Sequence, residues 1–350
     1  MDFTPTEEQA AARELAARIF GDLATPERLA AAGAGVDAEL WKALCAAGLP
    51  AAVEEIGLLG LVLLLEEQGR ATAQTPFAAS SVYGILAVAR HGTAEQRARL
   101  LPALRDGSAV ATGAFPARAD RGDGGIGADG RLTGEVPWAP WLRDATHVLV
   151  PDEERALWLI RTADAVVEPV ELTAPWSAGR LLLDSAPGER LGGPEAYDDV
   201  LALARIAFAG LQAGVCAGSL ARAVDHANTR EQFGRPLATR QGVQLRAADA
   251  YMDTEAIRVT AYEAAWRHDA GLPCSEQALT AAWWASEAGK RVVHAGQHLH
   301  GGTGADLDHP VHRHFLWGRQ LDAYLGCGAE LLQELGDLLA EEITPNGETA

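Results

Sequence analysis

Two short stretches in the second half of the chain carry residues suited to binding a phosphate-bearing ligand. The first, 229–234 (TREQFG), places Arg230 ahead of Phe233 and Gly234. A guanidinium binds phosphate oxygens through paired N–H donors, and an aromatic ring stacks against a nucleotide base. The second, 297–304 (QHLHGGTG), has three glycines among its last four residues, after a run with helical spacing. One glycine would suit a helix C-cap, whereas three favour a backbone that approaches a ligand closely.

Each stretch also has an ordinary structural explanation. Residues 229–234 could form a loop between two helices with an arginine on its surface, and taken alone this explanation has equal weight. The two motifs occur together, however, and both lie beside long runs with helical spacing. The combination is a stronger signal of a nucleotide site than a lone glycine motif.

The composition limits the kinds of partner that the protein can have. The 350 residues suffice for two or three domains, and the net charge of -19 repels nucleic acid and anionic membranes. No apolar run reaches the roughly 18 residues that a membrane span requires, and the polar N-terminus is no signal peptide. The four cysteines are scattered without metal-ligand spacing, which predicts reduced thiols and no metal site. We therefore expect a cytoplasmic protein that binds neither nucleic acid nor membrane.

The hydrophobic pattern divides the chain into three regions and predicts an α+β fold that is mainly α. Residues 1–112 have apolar positions every three or four residues, which predicts an N-terminal helical domain. Residues 113–197 hold a glycine-rich loop and short β-like runs such as 146–150 and 156–160, which predict a hairpin within a β domain. Residues 198–350 predict a bundle of four long helices.

The first and last helices of this bundle carry further expectations. The first is apolar on nearly every face over 200–224, which is typical of a helix in the middle of a bundle. A single subunit would cover such a helix poorly, so we expect the bundle to form the core of an oligomer. The last helix is predicted over 321–343.

The order of the three domains and both motifs resemble the acyl-CoA dehydrogenase family of flavoproteins, and the resemblance covers essentially the whole chain. It implies an N-terminal helical domain, a central β domain and a C-terminal four-helix bundle. It also implies FAD as the cofactor and an acyl-CoA thioester as the substrate. In this family the arginine and phenylalanine of an R-x-x-F-G motif reach across a subunit interface to the pyrophosphate and adenine of FAD.

The resemblance further implies which residues contact FAD, with the R-x-x-F-G residues on one subunit and the G-G-x-G residues on the opposing one. His298 occupies the position where the family usually has a glutamine. Trp138 matches the flavin-stacking tryptophan of the family, although Pro140 replaces the hydroxyl residue two positions later and Trp138 could equally be a core aromatic. The family loop that embraces the flavin should fall near 114–125, where little similarity remains. The implied cofactor-binding residues are Arg230, Gln232, Phe233, Gly234, Gln241, Gln297, His298, Gly301, Gly302 and Trp138.

The same resemblance places two residues without a carboxylate at the positions of the catalytic glutamate. Most members carry this glutamate where Leu325 stands here, and a minority carry it where Ala204 precedes Arg205. Acyl-CoA oxidation needs a carboxylate that removes the α-proton while the flavin accepts a hydride from the β-carbon. Neither Leu325 nor Ala204 can accept a proton, whereas Arg205 is implied to face the substrate.

Several functions therefore remain open. The chain resembles the base-lacking subunits of actinobacterial-type heteromeric acyl-CoA dehydrogenases, in which a paralogous partner supplies the glutamate within a dimer or tetramer. Alternatively, it is a homo-oligomeric flavoenzyme whose base has moved, with Asp322, Asp306 and Glu231 as candidates. A third alternative is a non-catalytic scaffold subunit, and a fourth is a helical protein with a β insert that binds no flavin.

Overall fold

A computed structural model describes residues 2–115, 127–128 and 131–343 of the chain. Much of the glycine-rich segment expected to embrace the flavin lies outside these residues. Within the described part, helices come first, strands second and longer helices last. This order confirms the expected mainly helical α+β fold.

The N-terminal helices pack around one buried helix, α4. Thr6 begins the first helix with a capping box, because its side chain accepts a hydrogen bond from the Gln9 N–H and the Gln9 side chain accepts one in return. The elements are α1 (Glu7–Leu23), α2 (Pro26–Ala32), α3 (Ala38–Ala46), α4 (Leu49–Ala71), α5 (Phe77–Ala79), a π-helical segment (Ser80–Leu86), α6 (Ala87–His91) and α7 (Ala94–Asp106).

The β region consists of two four-stranded sheets that pack face to face. One sheet has the order β1-β4-β5-β8 and the other has the order β2-β3-β7-β6. The predicted hairpin is confirmed, since β4 and β5 pair antiparallel with Val148 opposite Ile160. Both residues belong to an apolar core that also contains Leu181 from the second sheet. The strands are β1 (Ala111–Gly113), β2 (Gly127–Ala128), β3 (Leu132–Ala139), β4 (His147–Pro151), β5 (Leu157–Arg161), β6 (Val166–Pro169), β7 (Gly179–Ala186) and β8 (Glu189–Gly192).

The described part of the C-terminal region contains five helices in place of the four that the sequence predicts, because the helix Pro310–Leu321 was not predicted. The helix predicted over 321–343 begins only at Gly328, since the chain leaves helical geometry around Gly326, whose φ is 113°. The helices are α8 (Pro194–Thr229), α9 (Gln241–Asp269), α10 (Ser275–His300), α11 (Pro310–Leu321) and α12 (Gly328–Ile343). A small ribbon of β9 (Glu231–Gln232) and β10 (Arg235–Pro236) connects α8 to α9, and short 3-10 turns occur at Thr162–Asp164, Leu237–Thr239 and Gly301–Ala305.

Helix α8 is covered within the chain itself, so the reason given above for an oligomer is wrong. Helices α4, α9, α10 and α11 all pack against it. Its sequence is long and apolar enough to cross a membrane, but 89% of its most apolar stretch is buried inside the protein. A core helix of a large domain has the same composition as a buried bundle helix, which explains the error.

The contact between α4 and α8 is made by backbone against backbone. A Cβ added at Gly214 would lie 2.1 Å from the Glu66 carbonyl oxygen, and one added at Gly218 would lie 2.4 Å from the Arg70 carbonyl oxygen. In the opposite direction, a Cβ at Gly69 would lie 2.2 Å from the carbonyl oxygen of Leu211. Only glycine allows helices to approach this closely, and we call this contact the α4–α8 seam.

Candidate functional site

The R-x-x-F-G motif forms the tip of the ribbon between α8 and α9. Strands β9 and β10 pair across the two residues Phe233 and Gly234. Both residues have positive φ, 55° and 75° respectively, which is the geometry of a type I′ hairpin turn. The turn leaves the Phe233 ring 91% exposed. Its position is therefore set by the hairpin and not by burial in the core of the protein.

Arg230 has a fixed backbone and an available side chain. Its N–H donates to the His226 carbonyl at 2.8 Å, and its carbonyl accepts from the Leu237 N–H at 2.9 Å. The guanidinium is exposed and makes no ion pair or side-chain hydrogen bond with any residue that the structure describes. Gln232 and Gln241, on the ribbon and at the first position of α9, are also exposed. This face of the molecule can therefore receive an anion.

The glycines after α10 divide into two exposed residues and one buried residue. A Cβ added at Gly301 or Gly302 would meet nothing within 4 Å, so the backbone of both faces open space. Gly304 is buried, and a Cβ there would lie 2.3 Å from the Gln297 carbonyl oxygen. The side chain of Gln297 donates to the Gly304 carbonyl at 3.1 Å and closes the loop, while His298 is exposed.

Stacked histidines bring the two motifs to the same end of one chain. The ring of His226, in the last turn of α8, stacks on that of His300, the last residue of α10, with centroids 4.6 Å apart. His309 approaches His300 edge-on at 4.9 Å. A single subunit thus presents both motifs at one end, and which subunit's copy of each motif contacts a given FAD stays a prediction. We call this surface, comprising Arg230, Phe233, Gly301 and Gly302, the motif end.

Hydrogen bonds and burial define the protonation of these histidines. His300 Nδ1 lies 2.7 Å from the Gly296 carbonyl and donates to it. His309 Nδ1 accepts the N–H of Val311 at 3.2 Å and thereby caps α11. Burial lowers the pKa of His226 and His309, and the neighbouring His300 lowers both further. The cap on α11 requires neutral His309, since a protonated Nδ1 has no lone pair with which to accept.

The two positions of the family glutamate lie in a different environment. Leu325 and Ala204 are both buried. The guanidinium of Arg205 forms a two-pronged ion pair with Glu334 of α12 at 2.8 and 2.6 Å, so it is already engaged where it lines the adjoining cleft. A cleft lined by Arg205 and Leu325 has a volume of about 20 Å³. That space admits a water molecule, whereas pockets for organic ligands measure several hundred Å³ (roughly 300 or more).

Aromatic side chains fill the space around Leu325. The ring of Tyr324 contacts Phe208 with centroids 4.7 Å apart and Trp138 with centroids 5.8 Å apart. Its hydroxyl lies 3.0 Å from that of Tyr83, and both side chains are fully buried. Burial raises the pKa of both phenols, so they remain neutral. We call Tyr83, Trp138, Phe208, Tyr324 and Leu325 the closed core.

Trp138 is only partly buried and packs at the edge of this cluster. Its ring contacts Tyr324 in a tilted arrangement, with centroids 5.8 Å apart and an interplanar angle of 45°. Because part of the side chain stays exposed, this contact is compatible both with a core aromatic and with a ring that stacks on a flavin.

The three candidates for a relocated base are either paired with another residue or exposed to solvent. Asp322 is buried and pairs with Arg319 at 2.8 Å, and burial raises the pKa of its carboxyl group. Asp306 is exposed and accepts the N–H of Asp308 at 3.1 Å. Glu231 is exposed on the ribbon. Sequence analysis missed Glu334, because nothing in an acidic amphipathic helix indicates that one carboxylate pairs with an arginine 129 residues earlier.

Comparison with known proteins shows that both helical regions of the chain match models of one protein family. Residues 6–108 match the model of the acyl-CoA dehydrogenase N-terminal domain, and residues 192–336 match that of the C-terminal domain. The acyl-CoA dehydrogenase FadE27 of Mycobacterium tuberculosis is 33% identical over 97% of this chain and 99% of the relative.

Two solved structures resemble the chain over nearly its full length. The Tcur3481–Tcur3483 steroid ACAD variant has a TM-score of 0.88 and 41% identity, covering 96% of this chain and 99% of its own. The ChsE4–ChsE5 complex from Mycobacterium tuberculosis has a TM-score of 0.91 and 32% identity, covering 99% and 100% respectively. Both are named as pairs of different polypeptides.

Proposed function

Since the chain belongs to the acyl-CoA dehydrogenase family, we propose that it is the base-lacking subunit of a heteromeric FAD-dependent acyl-CoA dehydrogenase. A paralogous subunit supplies the catalytic glutamate and the acyl-CoA pocket. This chain contributes the motif end to the cofactor that the two subunits share. The assembly is a dimer or a tetramer that contains both kinds of subunit.

The observation that carries this proposal is the closed core. A dehydrogenase needs a carboxylate beside the α-carbon of its substrate, and the family position for it holds buried Leu325. Nothing in the described residues around Leu325 provides space for an acyl chain, since the cleft there measures about 20 Å³.

The motif end, by contrast, fits the dinucleotide part of FAD. Arg230 offers an unpaired guanidinium for the pyrophosphate, Phe233 offers an exposed ring for the adenine, and Gly301 and Gly302 leave backbone open to a close approach. When bound, FAD supplies the hydride acceptor of the reaction. The residues of this chain hold the nucleotide and exclude water from one side of it.

Two features of the relatives support a partner. The Tcur3481–Tcur3483 and ChsE4–ChsE5 proteins are named as pairs, and both resemble this chain at more than 30% identity over almost all of its length. An incomplete site is tolerable in a subunit whose counterpart completes it. The motif end faces outward, as a contribution to a shared site requires.

Co-expression with a paralogous acyl-CoA dehydrogenase subunit encoded nearby tests the proposal. We expect the chain alone to purify colourless and to oxidise no acyl-CoA, and the co-purified complex to be yellow and active. Replacing the catalytic glutamate of the paralogue by glutamine should abolish activity while the flavin remains bound.

Other outcomes would favour the alternatives. A yellow, active single chain would show a homo-oligomeric flavoenzyme with a relocated base. A stable complex whose flavin content is unaffected by changes at the motif end would show a scaffold role for this chain.

A further inference from the structure

Arg240 directly precedes α9, and its side chain contacts the ribbon formed by β9 and β10. Its N–H donates to the Leu237 carbonyl at 3.0 Å, and its carbonyl accepts the N–H groups of Val243 and Gln244 at 3.0 and 3.1 Å. The backbone of Arg240 is thus held at both sides by the start of α9. Its side chain therefore leaves a fixed point on the bundle and reaches toward the ribbon.

That side chain makes two contacts with the tip of the ribbon. Its Nη2 donates to the Gln232 carbonyl at 3.0 Å. Its guanidinium carbon lies 5.3 Å from the centroid of the Phe233 ring, within the range of a cation–π interaction. The Nε group is buried and has no acceptor among the described residues. The guanidinium thus serves the ribbon alone and forms no ion pair with a carboxylate of the described chain.

We propose that Arg240 is a positioning residue that holds the Phe233 ring ready to stack against the base of an adenine nucleotide. This inference rests on the proposed function, because it assumes that the motif end binds a nucleotide. Arg240 lies over one face of the ring at 5.3 Å and leaves most of the ring accessible to the ligand. Arg230 remains the residue that contacts the phosphates.

The physical reason is the cost of ordering an exposed side chain. Phe233 is 91% exposed, so no packing restricts its rotamers other than the contact with Arg240. A ring that is already restrained loses less conformational freedom when a base stacks on it, and binding is correspondingly tighter. A planar guanidinium can both stack on the ring and donate to the Gln232 carbonyl, which the ammonium group of a lysine cannot do at once.

Two probes separate positioning of the ring from simple attraction of charge. ADP carries both a base and a pyrophosphate, whereas inorganic pyrophosphate carries only the anion. Affinities are measured by calorimetry on the full chain in its native assembly, after removal of any bound flavin. The variants are Arg240→Gln, Arg240→Lys, Arg230→Ala and Arg235→Gln. Arg235 is a matched control, since it lies exposed on the same ribbon and makes no ion pair with a described residue.

The expected effect of Arg240 is confined to the ligand that carries an adenine base. Arg240→Gln and Arg240→Lys should weaken ADP binding about 2–5-fold, as expected for a cation–π contact at an exposed site, and should change pyrophosphate binding clearly less. Arg235→Gln should lower the affinities for ADP and pyrophosphate slightly and to the same extent, because it removes only a positive charge. Hydrogen exchange at 231–236 should be faster in Arg240→Gln, with an unchanged melting temperature of the whole protein.

Three results would overturn the inference. Equal weakening of ADP and pyrophosphate by Arg240→Gln would assign the residue to general electrostatics. No change in ADP binding by Arg240→Gln, while Arg230→Ala weakens it, would remove the positioning role and leave the proposed function intact. Absence of ADP and pyrophosphate binding in the unmodified protein would reject both the inference and the nucleotide role of the motif end.

Discussion

The motif end and the closed core lie on different stretches of α8 and differ in exposure. At the motif end, Arg230 and Phe233 are exposed and two glycines face open space. At the closed core, Tyr324 and Leu325 are buried against other aromatic rings. Phe208 of the closed core precedes the end of α8 at Thr229 by 21 residues, a rise of about 32 Å along the helix. The comparison teaches that one subunit can be open to a ligand at one end of a helix and fully packed around its middle.

The largest effect is expected from placing a charge in the closed core. Leu325→Glu puts a carboxylate at the family position of the base, but the site is buried and the arginine that lines it, Arg205, is already paired with Glu334. An unpaired buried charge typically costs about 3–5 kcal/mol, so the midpoint of urea unfolding should fall accordingly. We expect no acyl-CoA oxidation by this variant in a dye-reduction assay.

Leu325→Met is the matched control, since a swap of similar volume costs less than about 1.5 kcal/mol. A Leu325→Glu protein that is stable and active as a single chain would show that the core opens to hold flavin. The distinction between the two regions would then fail.

The next largest effect is expected at the motif end. Arg230→Ala removes a charge-assisted contact with phosphate and should weaken flavin binding in the heteromeric assembly by about 1.5–3 kcal/mol. Flavin absorbance per protein after gel filtration measures the loss. The unfolding midpoint should stay unchanged, because the guanidinium supports no contact within the described chain.

A third prediction concerns the hydroxyl pair of the closed core. Tyr83→Phe leaves the Tyr324 hydroxyl buried without a partner, which should cost about 1–3 kcal/mol of unfolding free energy. The double variant Tyr83→Phe with Tyr324→Phe should cost less than the sum of the single variants. Additive single effects in denaturant unfolding would show that the 3.0 Å approach of the two hydroxyls has no energetic importance.

The smallest effect is expected from acid at the motif end. The pKa of His309 is lowered in the folded protein, chiefly by burial and then by His300 and Arg222, while Asp306 acts in the opposite direction. In the unfolded chain a histidine has a pKa of about 6.5. As the pH falls below that value, the unfolded state binds protons that the folded state does not, and the unfolding free energy decreases.

His309→Ser keeps a side chain that can cap α11 and removes the titrating group. Its stability should therefore fall less than that of the unmodified protein between pH 7.5 and pH 5.5, as measured by denaturant unfolding. His298→Ser, at an exposed position outside the stack, is the control. An equal loss in all three proteins would exclude a contribution from the His309 cap.

The elements were largely predictable because their signals are local. The alternation in 146–150 and 156–160 predicts the β4–β5 hairpin, which Val148 and Ile160 confirm. The helix Pro310–Leu321 was missed, and the last helix begins at Gly328 and not at Leu321, since the turn between them depends on the φ of Gly326 and not on any change of hydrophobicity. The sequence of α8 shows that the helix is apolar. It does not show whether the helices that pack against α8 belong to the same chain or to another one.

The two regions of the candidate site differ in the same way. The motif end follows from residues close in sequence, so the motifs identify it. The closed core joins Tyr83 to Tyr324 across 241 residues, and the pair of Arg205 with Glu334 spans 129. Such contacts depend on how helices pack, and periodicity carries no information about them. The missing carboxylate at position 325 could therefore be predicted from the motif alone and stays a prediction, whereas the buried contacts around Leu325 could not be predicted.

The α4–α8 seam has a mechanical consequence for the whole subunit. Helices separated by side chains can slide or roll by small rotamer changes, but Gly214 and Gly218 hold α8 directly against the α4 backbone. Any axial shift would drive carbonyl oxygens into the opposite main chain, which a close-packed interior resists. Occupancy of the motif end therefore cannot be transmitted along α8 as a stroke of the helix. Helices α4 and α8 therefore behave as one rigid unit, and any movement that accompanies ligand binding must take place elsewhere in the molecule.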